Sequence, residues 1–145
     1  MVGAGIAGNV VVGAGQNALG RVKEADDSAA AFEYKMTEIK SKLDETGDKL
    51  KSTMDSLKAG IVELSPRVGK NITELADGLN EIIDANIKPK DSLGVLGVSA
   101  KAAVAGATNT STSAKFITEI MNAYKLPATD AGKVTNLVKS CILAI

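Results

Sequence analysis

The sequence has 145 residues, the length of one ordinary domain, and its apolar and charged fractions of 45% and 23% are those of a folded chain. Seventeen basic residues balance 17 acidic ones, and a chain without surplus cations is not expected to bind nucleic acid. The absence of histidine excludes histidine-based catalysis and histidine metal ligands, while a single cysteine, Cys141, cannot form an internal disulfide or a thiolate zinc site. We therefore predict no catalytic residues, no cofactor and no metal, and expect that the protein is not an enzyme.

Residues 1–20 form an apolar segment with six glycines and no charge. Gly3, Gly5 and Gly8 match the G-x-G-x-x-G pattern of dinucleotide-binding sites, but that site needs a strand before its first glycine, and only two residues precede Gly3. The segment has no basic start, which argues against a secretory signal peptide. Its length suits a membrane-spanning helix, but its glycine content weakens that interpretation. The remaining interpretation is a small-residue helix or a partly extended arm. Such a segment would pack against protein neighbours or enter a membrane conditionally.

A long helical stripe follows. Fifteen positions that repeat every 18 residues, or five turns of α-helix, carry apolar side chains at all but Thr46 and Asn86. They are Met36, Ile39, Leu43, Thr46, Leu50, Met54, Leu57, Ile61, Leu64, Val68, Ile72, Leu75, Leu79, Ile82 and Asn86. The pattern predicts a long helix over about 17–64, and we expect Leu43, Leu57, Ile61 and Leu79 to be buried.

Proline and polar residues predict where this stripe is interrupted. Because proline is tolerated at the first position of a helix, Pro66 predicts a kink or break, with Ser65 as the N-cap of a second helix that runs to about 87. Asn71, with Glu74 three residues later, is an alternative start that resembles a capping box. Residues 87–91 read as a loop.

The remaining elements are helical and poor in charge. In residues 92–107, small residues recur three or four positions apart and predict a flat face that allows close helix packing. A polar loop is expected at 108–113, and then a stripe of Phe116, Ile117, Ile120, Met121 and Tyr124. The last helix is expected from about 129, with its apolar face formed by Val134, Leu137, Val138, Cys141, Ile142 and Ile145.

Two further features have structural interpretations. Cys141 lies within an apolar stripe, which favours a buried thiol over a nucleophile. Asn71 and Asn109 each begin a glycosylation acceptor pattern, and without a convincing signal peptide both are interpreted as chance matches.

The sequence thus predicts an all-α, elongated bundle of about five helices, with residues 1–20 as a separate segment and residues 21–145 as the helical domain. We expect a structural subunit of a repetitive assembly, such as a virion layer or a filament, located in a virion or an extracellular assembly. Its partners would be other copies of the chain. The alternative is a membrane-active or lipid-associated protein that uses residues 1–20 and 92–107. The predicted assembly interface consists of Gly3, Gly5, Gly8, Gly13, Gly15, Gly94, Gly97 and Ala100.

Overall fold

A computed structural model describes the backbone of residues 25–143 and the side chains of residues 25–140. These residues form six α-helices and one 3-10 helix, with no β-strand among them, which confirms the all-α fold. In the described part of the chain the helices are α1 (25–42), α2 (Gly47–Val68), α3 (Ile72–Asp84), α4 (Pro89–Ala105), α5 (Thr110–Ala123), the 3-10 helix (Ala128–Asp130) and α6 (Ala131–Leu143). The apolar segment 1–20 and the predicted helix start near 17 lie outside the described residues.

Alternate helices run parallel, because the two residues of each contact between them are separated by nearly the same number of positions along the whole length of the helices. The separation is 42 residues between α1 and α3, where Lys42 lies 2.8 Å from Asp84, and 36 to 37 residues between α3 and α5. Helices that follow one another run antiparallel. The connections from α1 to α5 have three or four residues, and the connection from α5 to α6 has seven, which include the 3-10 helix. The bundle is therefore a stack of three helical hairpins, α1–α2, α3–α4 and α5–α6, in which each hairpin packs on the next.

The core lies between two layers of helices, with α1, α3 and α5 in one and α2, α4 and α6 in the other. Helix α4 lies at the centre of the stack, since it packs on α2, α3, α5 and α6. Leu57, Ile61 and Leu79 are buried as predicted, and Leu43 is partly buried against the same core. The 18-residue stripe thus identified the main core face of three helices.

The predicted continuous helix over 17–64 is wrong, because the chain turns at residues 43–46. Gly47 adopts a left-handed conformation with φ of 62°, and Thr46 before it is extended. The turn folds α1 back against α2 and α3, where Met36 and Ile39 become fully buried. A single long helix would leave that apolar face without a partner, and burial of the face favours the hairpin.

The predicted break at Pro66 is also wrong, since Pro66 lies inside α2. Proline removes the hydrogen bond that would reach the carbonyl of Val62, and Val62 is exposed, so water can replace that donor. Ser65 is not an N-cap. Its carbonyl accepts the hydrogen bonds that end α2, from the backbone N–H groups of Gly69 (3.0 Å) and Lys70 (3.3 Å).

Asn71 and Asn109 cap helices. The side chain of Asn71 accepts a hydrogen bond from the backbone N–H of Glu74 (2.8 Å), which confirms the alternative start predicted there. The side chain of Asn109 likewise accepts a hydrogen bond from the backbone N–H of Thr112 (2.8 Å), and α5 begins at Thr110. The predicted loop over 108–113 is therefore mostly helix. The loop predicted at 87–91 is likewise shorter, because α4 begins at Pro89.

Helices α2 to α5 all end in the same way. A left-handed residue follows each helix, and the next N–H group bonds to the carbonyl five residues earlier. Only the first of these left-handed residues is a glycine, and they are Gly69, Asn86, Ala107 and Lys125. Gly69 and Asn86 are residues that favour this conformation, whereas Ala107 and Lys125 are not. The stop signals at the last two ends lie in neighbouring residues, Gly106 before Ala107 and Pro127 after Lys125.

The last helix agrees with its predicted start and only partly with its predicted face. Val134 is buried and Val138 is partly buried, but Leu137 is 67% exposed and does not belong to the core. In the preceding stripe, Ile117 and Met121 are buried, whereas Phe116 and Tyr124 are exposed. The side chains of Cys141, Ile142 and Ile145 lie outside the described residues.

Candidate assembly surface

The three predicted interface residues on α4 occupy different environments. Gly94 is exposed, and a Cβ added to it would meet no described atom within 4 Å. Gly97 is half-buried and faces Leu64 of α2, with 3.7 Å between its would-be Cβ and Leu64 Cδ1. Ala100 is fully buried in the core of its own chain. Only Gly94 is therefore open to a neighbouring molecule, while Gly97 and Ala100 pack within the bundle. Gly3, Gly5, Gly8, Gly13 and Gly15 lie outside the described residues.

Two other glycines allow the closest helix packing, and the sequence analysis missed both. A Cβ on Gly60 of α2 would lie 2.7 Å from Leu93 Cδ2, and one on Gly78 of α3 would lie 2.6 Å from Thr110 Cγ2. Both distances are too short for real side chains. Close packing in the bundle therefore also depends on Gly60 of α2, which accommodates Leu93 of α4, and on Gly78 of α3, which accommodates Thr110 of α5.

A polar junction fixes the start of α5 against α3. One oxygen of Glu74 accepts hydrogen bonds from the backbone N–H (2.9 Å) and the hydroxyl (3.1 Å) of Thr110, and lies 2.9 Å from Lys70 Nζ. Lys70 also donates to the carbonyl of Thr108 (3.1 Å). In a full capping box Glu74 would bond to its own N-cap, but here its side chain serves the neighbouring helix instead.

The protonation of Glu74 follows from this environment. Burial raises the pKa of its carboxyl, but the hydrogen bonds from Lys70 and Thr110 favour the ionised form more strongly. The net result is a pKa below the ordinary value of 4.5, so the carboxylate is charged at neutral pH. Its role is to hold two helices together.

A groove of about 270 Å³ lies where the end of α4 and the start of α5 meet α6. It is lined by Ala102 and Thr108, by four residues of α5 that include Thr112 and Phe116, and by two residues of α6. None of the described lining residues is charged. Phe116 is 47% exposed along this groove. The surface is suited to contact with another apolar surface or segment.

The described residues offer little for chemistry. They contain no group of three or more cysteine, aspartate or glutamate side chains placed to hold a metal ion. The hydroxyl of Ser99 on α4 is buried in the core and has no hydrogen-bond partner among the described residues. Among the helices described here, none has the length and apolar character needed to cross a membrane.

The fold and surface define an all-α stack of three helical hairpins, with an uncharged groove where α4, α5 and α6 meet. Comparison with known proteins gives the family. The sequence matches the phage-related minor tail proteins over residues 58–140, from the middle of α2 to the described end of α6, and the chain belongs to that family. Neither the curated proteins nor the solved structures contain a match. Membership of a tail-protein family supports a structural, non-enzymatic protein associated with a phage virion.

Proposed function

We propose that this chain is a structural subunit of a phage tail that binds other copies of itself through residues 1–20. Of the small-residue face on α4, only Gly94 is open to such contacts. The observation that carries the proposal is the family match over residues 58–140, which covers the hairpins α3–α4 and α5–α6. A tail is built from many protein subunits in contact, and its components need surfaces that favour association.

The distribution of charge supports association through the surface that α4 and α5 contribute. Residues 92–123 contain only three charged side chains, whereas residues 33–58 contain twelve. Surfaces with few charges lose little hydration free energy when a partner covers them. Residues 1–20, which carry no charge at all, gain in the same way from burial, and contacts on several sides offset the entropy lost when glycine-rich backbone is ordered.

The experiment compares the full chain with a variant lacking residues 2–15 and with Gly8→Leu, using light scattering and electron microscopy. We expect large, uniform assemblies from the full chain without lipid, and only small soluble species from both variants. Circular dichroism should show that the helical content of Gly8→Leu equals that of the unchanged chain, so that the loss of assembly is not a loss of folding.

A parallel series with liposomes separates the membrane-associated alternative. Sedimentation only in the presence of lipid would favour that alternative and contradict the proposal. Assemblies of unchanged size from the shortened chain would exclude residues 1–20 as the assembly element.

A further inference from the structure

The two ends of the hairpin stack differ in chemistry. At the α1–α2 end, a groove of about 350 Å³ is lined by charged side chains, namely Glu33, Lys40, Lys51, Asp55 and Lys58. At the α5–α6 end, the described lining of the groove near Phe116 has no charge. Stacked-repeat proteins expose polar residues on a terminal repeat that faces water. The groove at the α1–α2 end meets that requirement, whereas the uncharged groove where α4, α5 and α6 meet resembles an internal surface of the stack.

An occupant of the uncharged groove must itself be uncharged, because burying an unpaired charge against apolar side chains is unfavourable. Residues 1–20 are the longest run without charge in the sequence. The next longest, 102–114, is already part of α4 and α5. The segment also repeats Val-Gly-Ala-Gly at 2–5 and 12–15, so its side chains are small enough for a narrow groove.

The geometry indicates which copy supplies the segment. The start of α1 lies beside the start of α3, since the hydroxyl of Thr73 donates to the carbonyl of Ser28 (3.4 Å). Glu74, the next residue, contacts Thr110 at the start of α5, and Thr112 of the groove lies half a turn further along. The described start of α1 therefore lies at the same level as the groove but at the opposite end of the stack, two helix spacings or about 20 Å away.

We propose that residues 1–20 of one copy bind in the α5–α6 groove of a second copy, so that copies stack head to tail. In such a stack the α1–α2 end of one molecule faces the α5–α6 end of the next, which places the segment beside the groove that receives it. The inference rests on the proposed function, because it supplies the contact through which copies associate. The contact is heterologous, and repetition of it produces an open filament or a closed ring.

The test uses two full-chain variants with complementary defects. Thr112→Glu puts a carboxylate into the groove, and a glutamate in the first turn of α5 is compatible with the helix. Val12→Glu puts a charge into the segment. Ser111→Glu is the matched control, because it adds the same charge to the same helical turn outside the described groove lining.

Sedimentation should show that each defective variant alone is a monomer of about 14.9 kDa, while Ser111→Glu assembles like the unchanged chain. A mixture of the two variants should give species of twice the monomer mass and nothing larger. The intact segment of the Thr112→Glu copy then binds the intact groove of the Val12→Glu copy, and neither remaining end can continue the stack.

Three outcomes would overturn the inference. Assembly of Thr112→Glu at the unchanged size would show that the groove is not occupied, while the proposed function would stand. A mixture that stays monomeric would show that the segment does not bind this groove, whichever copy supplies it. Failure of the unchanged chain to assemble would contradict the proposed function and this inference together.

Discussion

At the scale of single residues, two glycines in helices differ in what surrounds them, and this difference predicts opposite effects of the same substitution. Gly78→Ala would drive a methyl group into Thr110 and Leu96, with 3.0 Å between the new carbon and Leu96 Cδ1. We expect a loss of about 1–3 kcal/mol of folding stability from this overpacking. Gly94→Ala is the control, since no described atom lies within 4 Å of its would-be Cβ. There the higher helix propensity of alanine should raise stability by about 0.5–1 kcal/mol. Urea unfolding measures both, and an increase in stability for Gly78→Ala would contradict the close packing of α3 and α5.

The junction at Glu74 predicts a dependence of stability on pH. Because the pKa of Glu74 is lowered in the folded protein, its ionised form stabilises the fold above the ordinary pKa of 4.5. This contribution is lost as the pH falls through the lower folded-state value. Glu74→Ala should therefore lower the stability by roughly 1.5–3 kcal/mol at neutral pH, as expected for hydrogen bonds to a charged group, and by much less in acid.

A second glutamate provides the control for that measurement. Glu63 also pairs with a cation four residues away, Arg67, at 2.6 Å, but both side chains are about two-thirds exposed. Glu63→Ala should lower stability by only about 0.2–0.5 kcal/mol. Urea unfolding of both variants and the unchanged chain, at neutral and acidic pH, makes the comparison. Equal effects of the two substitutions at neutral pH would show that Glu74 does not join α3 to α5.

At the scale of elements, one substitution distinguishes the turn between α1 and α2 from a continuous helix, because it lowers the folding stability in the first case and raises it in the second. Gly47 has a positive φ, so alanine there should lower stability by about 1–2 kcal/mol. In an uninterrupted helix the same substitution would raise it by about 0.5–1 kcal/mol. Thermal unfolding of Gly47→Ala, alongside Gly94→Ala, gives the sign. A rise in melting temperature for both would favour the single long helix.

The sequence predicted the helical faces better than it predicted the helix ends. Of the fifteen positions in the stripe, the two without apolar side chains mark ends in the structure. Thr46 precedes α2, and Asn86 has a positive φ just after α3. The end at Asn86 agrees with the helix predicted to run to about 87, whereas the turn at Thr46 was not predicted and the break predicted at Pro66 is absent. Gly106 and Pro127 mark the ends of α4 and α5, but nothing in the sequence predicts that Ala107 and Lys125 are the residues with left-handed conformations.

The candidate surface could be predicted only in part. The sequence identified the small-residue face of α4, but not which of its residues stay exposed, since burial of Ala100 depends on neighbours far away in the chain. Gly60 and Gly78 are isolated glycines in charged helices, and no sequence pattern predicts their role in packing. The side chains that they accommodate, Leu93 and Thr110, are more than 30 residues away. Residues from three helices line the groove, so no pattern within a single helix predicts it.

At the scale of the whole molecule, the lack of charge on the associating surfaces predicts how assembly responds to salt. Raising sodium chloride from about 0.05 M to about 0.5 M screens charge pairs, and association through uncharged surfaces should be almost unaffected. Sulfate salts at equal ionic strength should strengthen it, because they favour burial of apolar area. Light scattering of the full chain in each buffer provides the measurement. Dissociation in sodium chloride would indicate contacts between charged faces, such as those of α1 and α2.

The short connections in the hairpin stack also determine how the chain reaches its fold. Each helix is joined to the next by three to seven residues, and it packs mainly on the helices one or two places away in sequence. Topologies with such local contacts fold rapidly, on microsecond to millisecond timescales for small helical domains. Ribosomes add only about 5–20 residues per second, so each hairpin can form as soon as it has emerged. Copies would then meet as folded stacks, and the order of events in building a tail would be folding first and association second.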